Sequence, residues 1–199
     1  MIQQIIFSLT TLVVIGLATR QFLEIRKKIY LGKPEKLTGG QAERWKNVLL
    51  VAFGQKKMFK NWIPAVLHFF IYAAFLVTQI ELIEIIIDGF SGIHRFFAPI
   101  LGAFYTFIIS TIELLSLLAF VGTLVFLARR NLLQIPRFTK SEMTGWPTLD
   151  ANLILVLEVL LIVGIFSMNG ADVLLQGLDP SHYPDTGNLL VSSKLGPLL

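Results

Sequence analysis

The chain of 199 residues contains no cysteine. That excludes a disulfide framework, a zinc–thiolate centre and an iron–sulfur cluster held by these residues. Charge is scarce too. Asp, Glu, Lys and Arg make up 15% of the chain, against about 25% in soluble domains. Histidine occurs three times, at His68, His94 and His182. No Lys or Arg precedes the first apolar run, residues 1–19, whereas Arg26, Lys27 and Lys28 follow it. That order reads as a retained helix, not a cleaved signal peptide. The net charge of +4 lies in segments flanking apolar runs, which argues against nucleic acid as a partner.

What is abundant is apolar sequence, at 54% of residues. Runs of about 20 apolar residues are long enough to cross a bilayer core of about 30 Å. The pattern predicts an all-α, polytopic transmembrane helix bundle with four spans, residues 2–22, 62–87, 96–128 and 151–175. The third is longer than a bilayer needs, so it either tilts or extends beyond the lipid. A short amphipathic helix is expected near residues 41–53, where Trp45, Val48, Leu49, Ala52 and Phe53 recur at helical spacing. It either lies in the membrane interface or docks a soluble partner. The segment DGFSGIHRFF reads as a turn around Gly89, Ser91 and Gly92. The whole reads as a single transmembrane domain.

Fifteen of the seventeen Lys and Arg fall in the connections before span two and after span three; only Arg95 and Lys194 lie on the other side. The positive-inside rule then makes both basic loops cytoplasmic and the N-terminus external, periplasmic in a bacterial inner membrane.

Polar residues within the spans mark candidate sites, because ionisable groups in lipid are costly. At 100° per residue, His68, Tyr72, Phe75 and Gln79 share one stripe of span two, with Glu81, Glu84 and Asp88 near the opposite side. Thr106, Ser110, Glu113, Ser116, Phe120 and Thr123 form a stripe on span three, and Glu158, Ile162, Ile165, Asn169 and Asp172 one on span four. Each seam is expected to turn inward. Glu81, Glu84 and Asp172 are expected at a solvated interface, and His94 as an interfacial histidine. His68 and Glu158 lie at similar depth, where a carboxylate could orient an imidazole. His182, in DPSHYPD, reads as a surface loop residue.

The run FGQKKMFKNWIPAVLHFFIYAAFLV, residues 53–77, carries a basic turn at Gly54, Gln55, Lys56 and Lys57, then His68 in a helix with Phe69, Phe70 and Phe75. It resembles the N-terminal membrane half of bacterial membrane-bound iron–sulfur oxidoreductases, which is similar to the nitrate reductase gamma subunit. Heterodisulfide-reductase-like proteins and electron-transfer-flavoprotein:menaquinone oxidoreductases are of this type. The segment Ile93-His94-Arg95-Phe96-Phe97 also looks similar. The resemblance implies haem b at His68, electron exchange with menaquinone or another quinone, and 4Fe–4S clusters in a cytoplasmic C-terminal part beyond these residues. It implies a soluble electron-transfer protein or iron–sulfur domain as the cytoplasmic partner.

The cofactor-binding set expected on this reading is His68, Tyr72, Gln79, Glu158 and His94, with His68 as ligand to the haem iron. The family's second histidine, ten residues on, is replaced here by Thr78. His68 and His94 lie near opposite faces, so they are not expected to share an iron. The missing opposing histidines and cluster cysteines make the chain read as the front half of a longer one. Two other readings stand beside this one. The first is an ion-coupled transporter or channel component using Glu113, Glu158 and Asp172; the second is a non-catalytic membrane anchor.

Overall fold

The computed structural model describes residues 2–33, 39–133, 135, 141–181, 183, 185–187 and 189–195, without the side chains of Ser141 and Leu195. Residues 34–38 and 136–140 of the two basic connections, residues 196–199 of the tail, and His182 lie outside the described residues. Among those described the fold is all-α, with no strand. The long helices are α1 (Ile2–Ile29), α3 (Trp62–Ser91), α5 (Ala103–Asn131) and α6 (Trp146–Leu178). Each is long and apolar enough to cross a membrane. Three shorter pieces are α2 (Gln41–Asn47), α4 (Ala98–Leu101) and α7 (Ser192–Leu195). The chain is thus a multi-pass membrane protein.

It divides into two compact units, Met1–Asn61 with Ile85–Ile93, and Trp62–Glu84 with His94–Leu199. In the first, α1 buries no residue. Its N-terminal end meets the last turns of α3, where the rings of Phe7 and Phe90 stand edge to face at 5.7 Å. Gly89 is helical there and not a turn residue. A Cβ on it would lie 2.3 Å from Phe7 Cε1, so its smallness is what admits the ring. The turn falls at Gly92, whose left-handed backbone (φ 73°) caps α3 through a bond from its N–H to Asp88 O. Helix α2 continues into one wide π-helical stretch, Val48–Phe53, closed by Gly54. The apolar side chains Trp45, Leu49 and Phe53 of this stretch are exposed.

The second unit packs α3, α5 and α6 with α5 antiparallel to the other two. Small residues set the approach, as expected where lipid removes the hydrophobic drive between helices. Ala74 and Ala119 are buried with Ile162 and Phe166. A Cβ on Gly122 would stand only 3.2 Å from Leu67 O. The expected third span is interrupted. Its helix starts at Ala98, breaks at Gly102 (φ 53°, ψ −130°) and resumes at Ala103. That backbone conformation is open to glycine and strained for any residue with a Cβ.

The tail does not remain outside the helices. Thr186, Leu189 and Ser192 are buried, and Leu189 joins Tyr105, Ile109 and Ile112 in a second core. Glu113, fully buried in α5, holds the tail down. Its Oε2 accepts the N–H of Val191 and its Oε1 the N–H of Ser192, each at 2.9 Å. Gly187 (φ 96°) passes so close to α5 that a Cβ would lie 2.2 Å from Thr106 Cγ2.

Replacement of Glu113 by Gln leaves one acceptor oxygen for two buried donors, and loss of one such bond costs about 1–3 kcal/mol. Glu113→Gln and Gly187→Ala are therefore both expected to lower thermal stability in detergent and to open residues 185–194 to limited proteolysis. An unchanged cleavage pattern in both variants would contradict the clamp.

Candidate functional site

The polar groups of the second unit gather at two ends of α3. At one end lies His68. It is exposed on α3, with its ring edge-on to Phe126 of α5 at 6.5 Å between centroids. It lines a groove of about 350 Å³ with Phe126, Arg129, Arg130, Ala151, Ile154 and Leu155. Helix α5 thus brings two guanidiniums from its last turn beside the imidazole, and α6 adds an apolar wall from its first turns. Arg130 NH2 also donates to Pro147 O at 3.3 Å, which fixes that side chain on the start of α6.

The expected inward seam of α3 is not the one that the structure buries. His68 and Phe75 are exposed and Tyr72 and Gln79 half-buried, while Ala65, Ala74, Glu81 and Glu84 face the helices. Gln79 Nε2 donates to Phe75 O of its own helix. Glu158 is half-buried on α6, and among the described residues no hydrogen bond joins it to His68. On α5 and α6 the expected seams are buried much as predicted, through Glu113, Ser116 and Thr123, and through Ile162, Asn169 and Asp172.

The other end of α3 holds a network that the sequence reading did not assemble. Arg95, in the connection between α3 and α4, is only 4% exposed and has a left-handed backbone (φ 53°). Its guanidinium reaches three helices. Nε donates to Asp172 Oδ2 at 3.2 Å, NH2 to Asn169 Oδ1 at 2.6 Å, and NH1 to Glu81 Oε1 at 3.5 Å and Tyr105 OH at 3.3 Å. Tyr105 passes the chain on, its hydroxyl donating to Glu84 Oε2 at 2.6 Å. Glu84 Oε1 accepts the N–H of Phe97 at 2.9 Å. His94 Nε2 lies 2.6 Å from Asp172 Oδ1, and its ring packs against Tyr183 at 4.8 Å. Gln176 Nε2 bridges Asp172 Oδ2 and Thr186 Oγ1.

Glu81, Glu84 and Asp172 are therefore not solvated; they are buried at 2%, 2% and 3% exposure. His94 is not an isolated interfacial histidine, because it is paired with Asp172. The physical reason is Arg95. Carboxylates on two helices can leave water only where a cation and donors meet them. Burial by itself opposes the charge on Arg95, but the Tyr105 oxygen and the carboxylates of Asp172, Glu81 and Glu84 outweigh it and hold its pKa above the ordinary arginine value. One signal for this network was present in the chain. Arg95 is the lone arginine among the acids of that end, and Glu81 and Glu84 sit three residues apart on one helix face.

The two ends are separated by thirteen residues of α3 from His68 to Glu81, about 20 Å along the helix. His94 is held by Asp172, so it does not meet His68. Among the described residues no group of three His, Cys, Asp or Glu side chains is placed to hold a metal ion. The fold and these sites define a multi-pass α-helical membrane protein with a buried ionic network. The chain matches no protein-family model, no curated protein and no solved structure.

Removal of one partner from a buried ion pair costs about 3–5 kcal/mol. Arg95→Ala is expected to lose the folded protein on size-exclusion chromatography in detergent. Arg95→Lys is expected to restore only part of the stability, because an ammonium cannot serve the Nε, NH1 and NH2 directions together. Equal thermal stability of the lysine variant and the unsubstituted protein would remove the planar fork from this account.

Proposed function

We propose that the chain is a membrane electron-transfer domain that binds haem b at His68. It links a quinone pool to a soluble electron-transfer protein or iron–sulfur domain at its basic, cytoplasmic face. The observation that carries this reading is the groove at His68, where an imidazole with no hydrogen bond among the described residues stands on a helix long and apolar enough to cross a membrane, beside Arg129 and Arg130. A histidine left open in lipid is costly. Ligation of iron by the neutral imidazole lowers that cost.

The residues present fit such a group on one side. His68 would hold the iron, Phe126 with Ile154 and Leu155 would form an apolar wall, and Arg129 and Arg130 would be partners for propionates. Bound there, haem would supply one-electron transfer. Tyr72 lies one turn along α3 from His68; Gln79 and Glu158 take no part in the groove. The quinone, menaquinone in the family that the sequence resembles, and a bacterial inner-membrane location with external N-terminus belong to the same proposal. The sequence resemblance and the asymmetry of Lys and Arg support them.

An ion path through Glu113, Glu158 and Asp172 has less support. Glu113 spends both oxygens on tail amides, and Asp172 is bound into the Arg95 network. The test is the reduced-minus-oxidised spectrum of the purified natural protein. His68→Ala, shown to be folded, is expected to abolish the b-type signal, and His94→Ala to keep it. A protein without a chromophore, or a signal that survives His68→Ala, would refute the assignment.

A further inference from the structure

We propose that residues 41–60 form a binding site for anionic phospholipid, an in-plane segment whose apolar line sinks into the bilayer and whose cations hold lipid phosphates. The inference goes beyond electron transfer and does not depend on haem at His68. A soluble partner of the proposed function would meet other parts of the basic face.

The first ground is an apolar line with no partner in the protein. Helix α2 and the π-helical stretch after it bury no residue. Trp45, Leu49 and Phe53 are 66%, 58% and 59% exposed. An α-helix advances about 400° in four residues, so each i+4 side chain stands about 40° ahead of the last. The wider turn of Val48–Phe53 rotates less per residue and takes that drift back. It is closed by bonds from Gly54 N–H to Leu49 O and from Lys56 N–H to Leu50 O. The three side chains are thereby kept on one narrow line. Gly54 permits the closure, since a Cβ there would lie 2.9 Å from Leu50 O.

The second ground is charge placed for a flat anionic surface. On α2, Arg44 and Lys46 lie about 100° to either side of Trp45, and Glu43 lies about 160° away, on the far side. Cations that flank an apolar line reach out to phosphates at headgroup level while their stems stay in the apolar layer. Lys56, Lys57 and Lys60 follow, all exposed. Residues 41–61 thus hold five cations and one acid, Glu43. A second copy of the same face does not fit, because it would bring these cations against their own kind.

The third ground is position. Helices α1 and α3 are consecutive spans, so the chain between them starts and ends at one membrane surface. Only eight residues, 54–61, separate Phe53 from Trp62 at the start of α3. They reach at most about 30 Å even when fully extended, and the helical turn Met58–Lys60 shortens them. The bilayer is therefore within reach of the apolar line in every state of the protein, which a soluble partner is not. The excess of Lys and Arg marks this side as cytoplasmic, where the leaflet carries anionic lipid.

The experiment measures which lipid touches Trp45 in the full chain. Trp62→Phe and Trp146→Phe, both at exposed positions, leave Trp45 as the sole tryptophan. The protein is placed in nanodiscs of phosphatidylcholine and phosphatidylglycerol in equal parts. A nitroxide quencher sits near the headgroup end of the acyl chain of one lipid or the other. Trp45 emission is expected to be quenched by both, and more by labelled phosphatidylglycerol. Lys46→Gln, Lys56→Gln, Lys57→Gln and Lys60→Gln combined are expected to lose that preference. No quenching by either lipid overturns the proposal and marks a face in water or under a protein partner. Equal quenching with the lysines in place overturns it, as does a preference that survives their replacement. If the tryptophan variant does not assemble, a fluorophore on Leu49→Cys, in a chain with no cysteine of its own, is read against the same lipids with the same outcomes. A colourless preparation would refute haem at His68 without touching these outcomes, and an unquenched Trp45 would leave the haem assignment standing.

Discussion

A guanidinium removed from water must meet acceptors in every direction it points, and the second unit of this chain is built around one that does. Arg95 gathers Glu81 from α3, Tyr105 from α5, and Asn169 and Asp172 from α6. It pairs with the Glu81 and Asp172 carboxylates out of water. Its own left-handed backbone is a strained choice for a residue with a Cβ, of the order of 1–3 kcal/mol. The strain persists because four side chains fix where the guanidinium must lie. The connection between α3 and α4 is therefore positioned by its side chain as much as by its length.

The same logic recurs at Glu113. A carboxylate in the middle of an apolar helix is paired here with two backbone amides of the tail, which in turn bury Leu189 and Ser192 against the helices. Both devices satisfy polar groups inside the protein, as lipid surroundings demand. They also leave the outward faces of the helices free to carry Leu, Ile, Val and Phe, the residues that the structure exposes in number. His68 contrasts with that closed end. It lies on an open face of α3, beside two arginines, and the proposed function rests on that contrast between a closed end and an open one.

Much of the helical layout was legible in the chain because length and hydropathy decide it. The four spans stand where apolar runs of sufficient length stand, and the inward seams of α5 and α6 follow from Glu113, Ser116, Thr123, Asn169 and Asp172. The buried seam of α3 is not the expected one. His68 to Gln79 makes a tidy stripe on a helical wheel, but a stripe only says which residues share a face; it does not say which face meets the neighbours. The burial of Ala65 and Ala74 settles that, since small side chains let α5 approach there. The break at Gly102 and the close packing at Gly89 were likewise hidden, because glycine serves as turn, break or contact point according to what lies opposite.

The sequence by itself determined that this is a multi-pass, all-α membrane protein without cysteine chemistry of its own, because those properties are sums over residues and need no knowledge of what touches what. Only the tertiary structure decided that Arg95, His94, Glu81, Glu84, Tyr105, Asn169 and Asp172 form one network, and that His68 stands apart from it. Those residues lie on three helices and the connection between two of them. Their meeting depends on helix rotation and on the direction of one connection, and neither is written in the spacing along any single helix.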